Sequence, residues 1–213
     1  MRDEAGKFVS FTPDFDRLWR WKDELPAEKL ACAGRHACRP VALVPPALVA
    51  ALYALTGRAG RPDDFRDLDD LSPVERDVAE VVLECGPCGR PELGRLLGSA
   101  EKKRVGAAVE ALERRLVLTY AGAVQQRHGW PAVGLDLLPR RWAERLAVLP
   151  AAEEARETLA GAVLGAAGEV SAADLAAALR WRRREAAATL DAIAERGLAT
   201  AREEDGIRLW APR

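Results

Sequence analysis

The feature that most constrains this chain is that part of it occurs twice. Gly86, Leu93 and Leu97 recur as Gly168, Leu175 and Leu179 at an offset of 82 residues, while Leu112 and Thr119 recur as Ile193 and Thr200 at an offset of 81. One residue is lost in the turn between the two sets. A period this long marks duplicated domains rather than a solenoid of short repeats. The two copies must therefore share one architecture.

The punctuation predicts what that architecture is. Ser72-Pro73 reads as an N-cap followed by proline in the first helical position, opening a helix that runs to Leu83. A short helix Pro91–Leu97 follows Gly89, then a longer one from Glu101 to Arg115 with Val105, Val109, Leu112 and Leu116 on one face. Val117–Tyr120 and Ala132–Leu135 read as an extended hairpin. In the second copy, Pro150 with Glu153, Glu154 and Glu157 marks a helix start, since carboxylates favour the positive end of the helix dipole. That helix spans about Ala152–Leu164; Ser171 caps Ala172–Leu179, a longer helix runs Arg182–Arg196, and Gly197 ends it. Leu198–Ala201 and Ile207–Trp210 flank an Asp205-Gly206 turn. Helix, short helix, longer helix and two-stranded wing predict tandem winged helix-turn-helix domains: a mainly α fold with small β wings. The expected divisions are 72–149 and 150–213 for the two winged helices. An N-terminal helical unit over 1–71 has a degenerate winged helix as one reading. Within it we expect a helix from Pro26 to about Ala33, an extended Val41–Val44 and a helix from Pro46 to Thr56. Leu93, Val109, Leu112, Leu175, Leu190 and Ile193 should be buried, with Lys102, Arg104, Arg183 and Arg184 exposed.

No apolar run is long enough to span a bilayer and no secretory signal opens the chain, so a cytoplasmic protein is expected, with no membrane partner. The 32 basic and 33 acidic side chains exclude a generally basic nucleic-acid binder but leave room for local patches. The expected partner is double-stranded DNA. In a helix-turn-helix the start of the second helix reaches the bases. The two copies carry Lys102-Lys103-Arg104 and Arg182-Arg183-Arg184 there. Three cations at a helix N-terminus oppose its dipole, and a phosphate backbone would relieve that misfit. The first wing adds Gln125, Gln126, Arg127, His128 and Trp130, types that enter minor grooves, read base edges or wedge between them. A solvated charged face and an ordinary polar loop are the plainer readings of both. A protein-interaction scaffold is an alternative, because Glu203, Glu204 and Asp205 at the second wing tip would repel phosphate. Cys32, Cys38, Cys85 and Cys88 invite a zinc reading. However, Cys85 and Cys88 correspond to Ala167 and Val170, so reduced core thiols are expected, with no metal and no cofactor.

The stretch Trp21-Lys22-Asp23-Glu24-Leu25-Pro26-Ala27-Glu28-Lys29, with Leu52-Tyr53-Ala54-Leu55-Thr56-Gly57 and Asp63-Asp64-Phe65, resembles short bacterial proteins grouped with the AlkZ-like winged-helix DNA glycosylases. The resemblance runs over most of the chain as a diffuse pattern. It implies an array of winged helices cradling duplex DNA, in a family whose enzymes excise alkylated bases in DNA repair. Those enzymes use a Gln-x-Gln motif near the N-terminus to handle water. This sequence has no such motif; its adjacent glutamines, Gln125 and Gln126, lie in the first wing. The leading expectation is therefore duplex binding without catalysis. In the alternative, a monofunctional DNA glycosylase, Asp23, Gln125 and Gln126 are the catalytic candidates. Trp21 or Trp130 would stack on the base, and Asp23 has a salt bridge to Lys22 or a cap on the following helix as its plainer role.

Overall fold

A computed structural model describes the backbone of residues 13–38, 41–98, 102–126 and 130–213, with side chains from Arg20 onward apart from Lys102. The protein is mainly α with small antiparallel sheets. The first stretch runs α1 (Pro13–Ala27), β1 (Cys32–Gly34), β2 (Ala42–Val44) and α2 (Val49–Ala54), with 3-10 turns at Pro46–Leu48 and Asp64–Asp67. Then come α3 (Pro73–Cys85), β3 (Cys88–Gly89), α4 (Arg90–Leu96), α5 (Lys102–Arg114), β4 (Leu118–Val124) and β5 (Ala132–Leu137). Two short helices, α6 (Leu138–Arg141) and α7 (Ala143–Leu146), lead to α8 (Ala152–Ala167), β6 (Val170–Ser171), α9 (Ala172–Leu179), α10 (Arg183–Glu195), β7 (Ala199–Glu204) and β8 (Ile207–Pro212).

The duplication is visible element by element. The sheets have the matching orders β3-β5-β4 and β6-β8-β7, and Cys88 pairs with Leu135 as Val170 pairs with Trp210. The caps differ between the copies: Ser72 closes a capping box ahead of α3 and Ser171 one ahead of α9, accepting from the backbone N–H of Glu75 and Asp174. Leu93, Val109, Leu112, Leu175, Leu190 and Ile193 are all buried, in two separate apolar cores. A third core joins Cys32, Val49, Leu52 and Tyr53 to Leu116, Trp142, Leu146, Ala155 and Leu159, tying the N-terminal stretch to both later segments.

The expected helix from Pro26 to Ala33 is not there. Pro26 lies in the last turn of α1, and Cys32–Gly34 pairs with Ala42–Val44 as a short hairpin. Proline read as a helix start is here near a helix end, where its missing N–H costs one bond rather than a whole helix. Lys29 adopts a positive φ of 57° directly after, and Arg141 donates to the carbonyls of Pro26 and Ala27. Asp23 therefore sits inside α1 and caps nothing. The helix packs on β4, where Gly122 (φ 97°) leaves no room for a side chain: a Cβ would lie 2.7 Å from Cβ of Ala27.

Arginines from distant positions close helix C-termini repeatedly. Arg140 donates to the carbonyls of Val82 and Leu83 at 2.8 and 3.0 Å, at the end of α3, while Asp136 holds it in place. Arg58 donates to Arg115 O, just past α5, at 2.5 Å. Cations suit these negative helix ends. Much of the basic composition thus serves the fold itself.

Candidate nucleic-acid interface

The second copy holds the sharpest electrostatic feature. Arg182 is the N-cap of α10 and offers no oxygen to its first-turn N–H groups. Arg182, Arg183 and Arg184 are exposed, and Arg180, in left-handed conformation at the end of α9, joins them. None of the four has a carboxylate partner among the described residues. Cations elsewhere behave differently: Arg156 is 2.6 Å from Glu185, Arg202 is 2.8 Å from both Glu169 and Glu204, and Arg208 is 3.1 Å from Asp191. Arg196 pairs with Glu157. A cluster of cations at a helix N-terminus, left without counter-charge, has its potential directed at solvent.

In the first copy Lys103 and Arg104 are exposed at the start of α5, and Arg104 borders a groove of about 470 Å³ against α3. Lys102 opens the helix; its side chain lies outside the described residues, as do Arg127 and His128. The longer β4–β5 hairpin carries Trp130, 91 % exposed, so this indole is not folded onto the body. Gln125 and Gln126 share a polar pocket of about 170 Å³ with Glu92 and Arg95 where β4 passes into the hairpin loop. Asp23 is not among the residues lining it; its carboxylate is 2.7 Å from the Lys22 ammonium. Glu203, Glu204 and Asp205 are exposed at the second hairpin tip.

The cysteines divide differently from the expectation that all are core thiols. Cys32 and Cys88 are buried, Cys38 is half-buried and Cys85 is exposed. Cys85 lies at the end of α3, where the side chain has turned outward, as has its counterpart Ala167. Burial pushes the thiol of Cys32 up to about 12 and that of Cys88 up to about 11, which keeps both protonated. Among the described residues no group of three or more His, Cys, Asp or Glu is placed to hold a metal ion.

A polar network nearby belongs to the fold. His36 Nδ1 is 2.9 Å from the Glu113 carbonyl and so donates to it; Nε2 is 3.3 Å from Thr119 Oγ1. Desolvation pushes this imidazole down to about 4. Glu113, fully buried, is raised by desolvation while Arg90 (3.3 Å) and Arg35 oppose the shift. A second buried set ties Tyr53 (2.6 and 2.8 Å), Arg58 (3.0 Å) and the Gly60 N–H (2.9 Å) to the carboxylate of Asp64.

Three residues escaped the sequence reading: Arg180, Arg208 and Glu92. Arg180 lies two residues before the triplet's first arginine, separated from it by Trp181, and could have been found from the helix-turn-helix register. Arg208 and Glu92 carry no sequence signal; only the folding of hairpin against helix brings them to these grooves.

The fold has a known counterpart. The structure of Streptomyces sahachiroi DNA glycosylase AlkZ is similar to this fold at a TM-score of 0.59 and 18 % identity, covering 89 % of this chain and 54 % of that one. This chain thus spans about half the length of that protein. No curated protein matches. The family profile described as DNA glycosylase AlkZ-like matches residues 14–212. With nearly its whole length matched, the chain belongs to the AlkZ-like DNA glycosylase family.

Proposed function

We propose that this chain is a duplex DNA-binding protein built from tandem winged helix-turn-helix units, 72–149 and 150–213, with the N-terminal unit packed against both. The observation that carries the reading is the uncompensated cluster Arg180, Arg182, Arg183 and Arg184, in a protein whose other arginines are largely spent on carboxylates and helix ends. The shared strand order and register support the winged-helix description, and Lys103 and Arg104 at the matching position support a second contact. Each phosphate contact contributes about 0.9 to the slope of log affinity against log salt. Changing Arg182, Arg183 and Arg184 together to Ala should lower that slope by about 2.7 if all three lie on phosphates. Between 50 and 200 mM salt the parent would then lose about 40-fold more affinity than the variant. Fluorescence anisotropy with a labelled duplex measures both. An unchanged slope, or a parent that does not bind duplex at low salt, would refute the assignment.

The polar pocket favours one further reading, an active glycosylase. Gln125 and Gln126 supply amides that orient water, and Glu92 supplies the carboxylate that the sequence alone did not offer there. Incubation with duplexes carrying alkylated purines or cross-links, followed by assay for released base, tests it. Release that is lost on Glu92→Gln or Gln125→Ala supports this reading. No release by the parent, with duplex binding intact, leaves the binding function alone.

A further inference from the structure

The β7–β8 hairpin, α9 and the first turn of α10 enclose a groove of about 410 Å³. Arg183 and Arg184 enter it from α10 and Arg208 from β8, around an apolar lining that includes Ile207 and Trp210. The Arg208 guanidinium lies 5.1 Å from the centroid of the Trp210 ring. Trp210 is only 3 % exposed, and its Nε1 has no acceptor among the described residues. A buried donor without a partner is uncommon and calls for an explanation. The carboxylates of the surrounding helices are already engaged, Asp174 with Ser171, Asp191 with Arg208 and Glu185 with Arg156, while Glu203 and Asp205 on the hairpin are exposed.

We propose that this groove is an oxyanion site for a phosphate group. The uncapped N–H groups of α10 and the indole N–H of Trp210 supply neutral donors, Arg183 and Arg184 supply the charge, and Arg208, paired with Asp191, lines the same groove. The site is not a by-product of the shared architecture. In the first copy Leu135 stands where Trp210 does, offering no N–H, and Val133 stands in the place of Arg208. The corresponding groove there holds Arg90, which is tied to Glu113, and Arg95. The source of the phosphate, a DNA backbone rather than a free ion, rests on the duplex-binding reading. On that reading this unit grips the backbone without consulting the bases.

Nuclear magnetic resonance of 15N-labelled protein follows the Trp210 indole N–H directly. The cross-peak is identified by its loss in Trp210→Phe, or by through-bond assignment if that variant does not fold. Titration with inorganic phosphate, and separately with duplex, should move the Trp210 peak in a saturable way, whereas a nucleoside lacking phosphate should not. Arg183→Ala combined with Arg184→Ala should weaken phosphate binding about tenfold or more, and Arg145→Ala, at an exposed cation outside both basic clusters, should leave it unchanged. A Trp210 peak that stays put while phosphate is added, or a response that survives the arginine changes, overturns the site. Response to phosphate without any duplex binding keeps the site and removes the DNA reading; duplex binding without a Trp210 response does the reverse.

Discussion

Replacing Asp64 by Ala tests whether the N-terminal stretch is held by charge rather than by apolar packing alone. The carboxylate is 1 % exposed and accepts from Tyr53 Oη, Arg58 Nη1 and the Gly60 N–H. Its removal strands a guanidinium whose side chain is 5 % exposed, together with a phenol and a backbone donor. Truncating one partner of a buried ion pair costs about 3–5 kcal/mol. Arg58 retains the Arg115 carbonyl and lies over the Tyr53 ring at 4.8 Å, which offsets part of the loss. We therefore expect about 3 kcal/mol, a large share of the ~5–15 kcal/mol that holds an ordinary domain together. Urea titration followed by circular dichroism measures it, with Arg58→Met/Asp64→Leu as the second arm. The double variant leaves no charge behind and should lose less than Asp64→Ala despite altering two residues. A single-variant loss below about 1 kcal/mol, or a double variant that is worse than the single, would refute the reasoning.

Two further perturbations probe the same framework. The imidazole of His36 is held neutral down to about 4 in the fold against 6.5 when free, so the unfolded chain takes up the extra proton between those values. This contribution is present above pH 6.5 and lost as pH falls toward 4, by about 3 kcal/mol over the whole window. His36→Asn should flatten the dependence of stability on pH between 4.5 and 6.5, read by urea titration at several pH values; an unchanged curve counts against the buried neutral ring. Gly122→Ala forces a Cβ onto Ala27 at 2.7 Å and strains a backbone at φ 97°. Limited proteolysis should then cut α1 free sooner, with stability down by about 1–3 kcal/mol, and equal protection in parent and variant would exclude the close packing.

What the sequence disclosed and what it hid follow from the range of the interactions. Repeat register, capping serines and buried leucines are local or periodic, so Ser72, Ser171, Leu93 and Leu175 were readable from spacing alone. The stretches carrying the family resemblance have a structural role: Tyr53 and Asp64 sit at the centre of one buried network. Pro26 misleads because a proline within the first turn and one within the last leave similar local patterns; the end of that helix is closed by the Leu30 N–H on the Leu25 carbonyl and by Arg141, over a hundred residues away. Thr119 and Thr200 occupy matching positions yet differ in burial, because α1 and β1 cover β4 while β7 stays open to solvent. The candidate site has the same division. Arg182, Arg183 and Arg184 were legible as a run, but their lack of counter-charge was not, since it depends on where Glu185, Asp191 and Glu204 are spent.

That distribution of charge makes the acidic hairpin tip informative. Gly206 and Ile207 line the same groove as Arg183 and Arg184, so Glu203 and Asp205 lie on a hairpin that borders any phosphate bound there. They should hold affinity below what the arginines alone would give. Taking a separation of roughly 10 Å through water, each carboxylate repels a phosphate by about 0.3 kcal/mol at 10 mM salt and about half that at 100 mM. Neutralising both, as Glu203→Gln/Asp205→Asn, should tighten duplex binding about threefold at 10 mM and by less than twofold at 100 mM. Glu204 is left in place because it holds Arg202 at 2.8 Å. Anisotropy titrations at the two salt concentrations distinguish the outcomes. A gain that shrinks with salt puts the hairpin beside the backbone. Identical affinities at 10 mM would mean that the hairpin points away from the duplex, and the groove beneath it would lose its claim to a backbone phosphate.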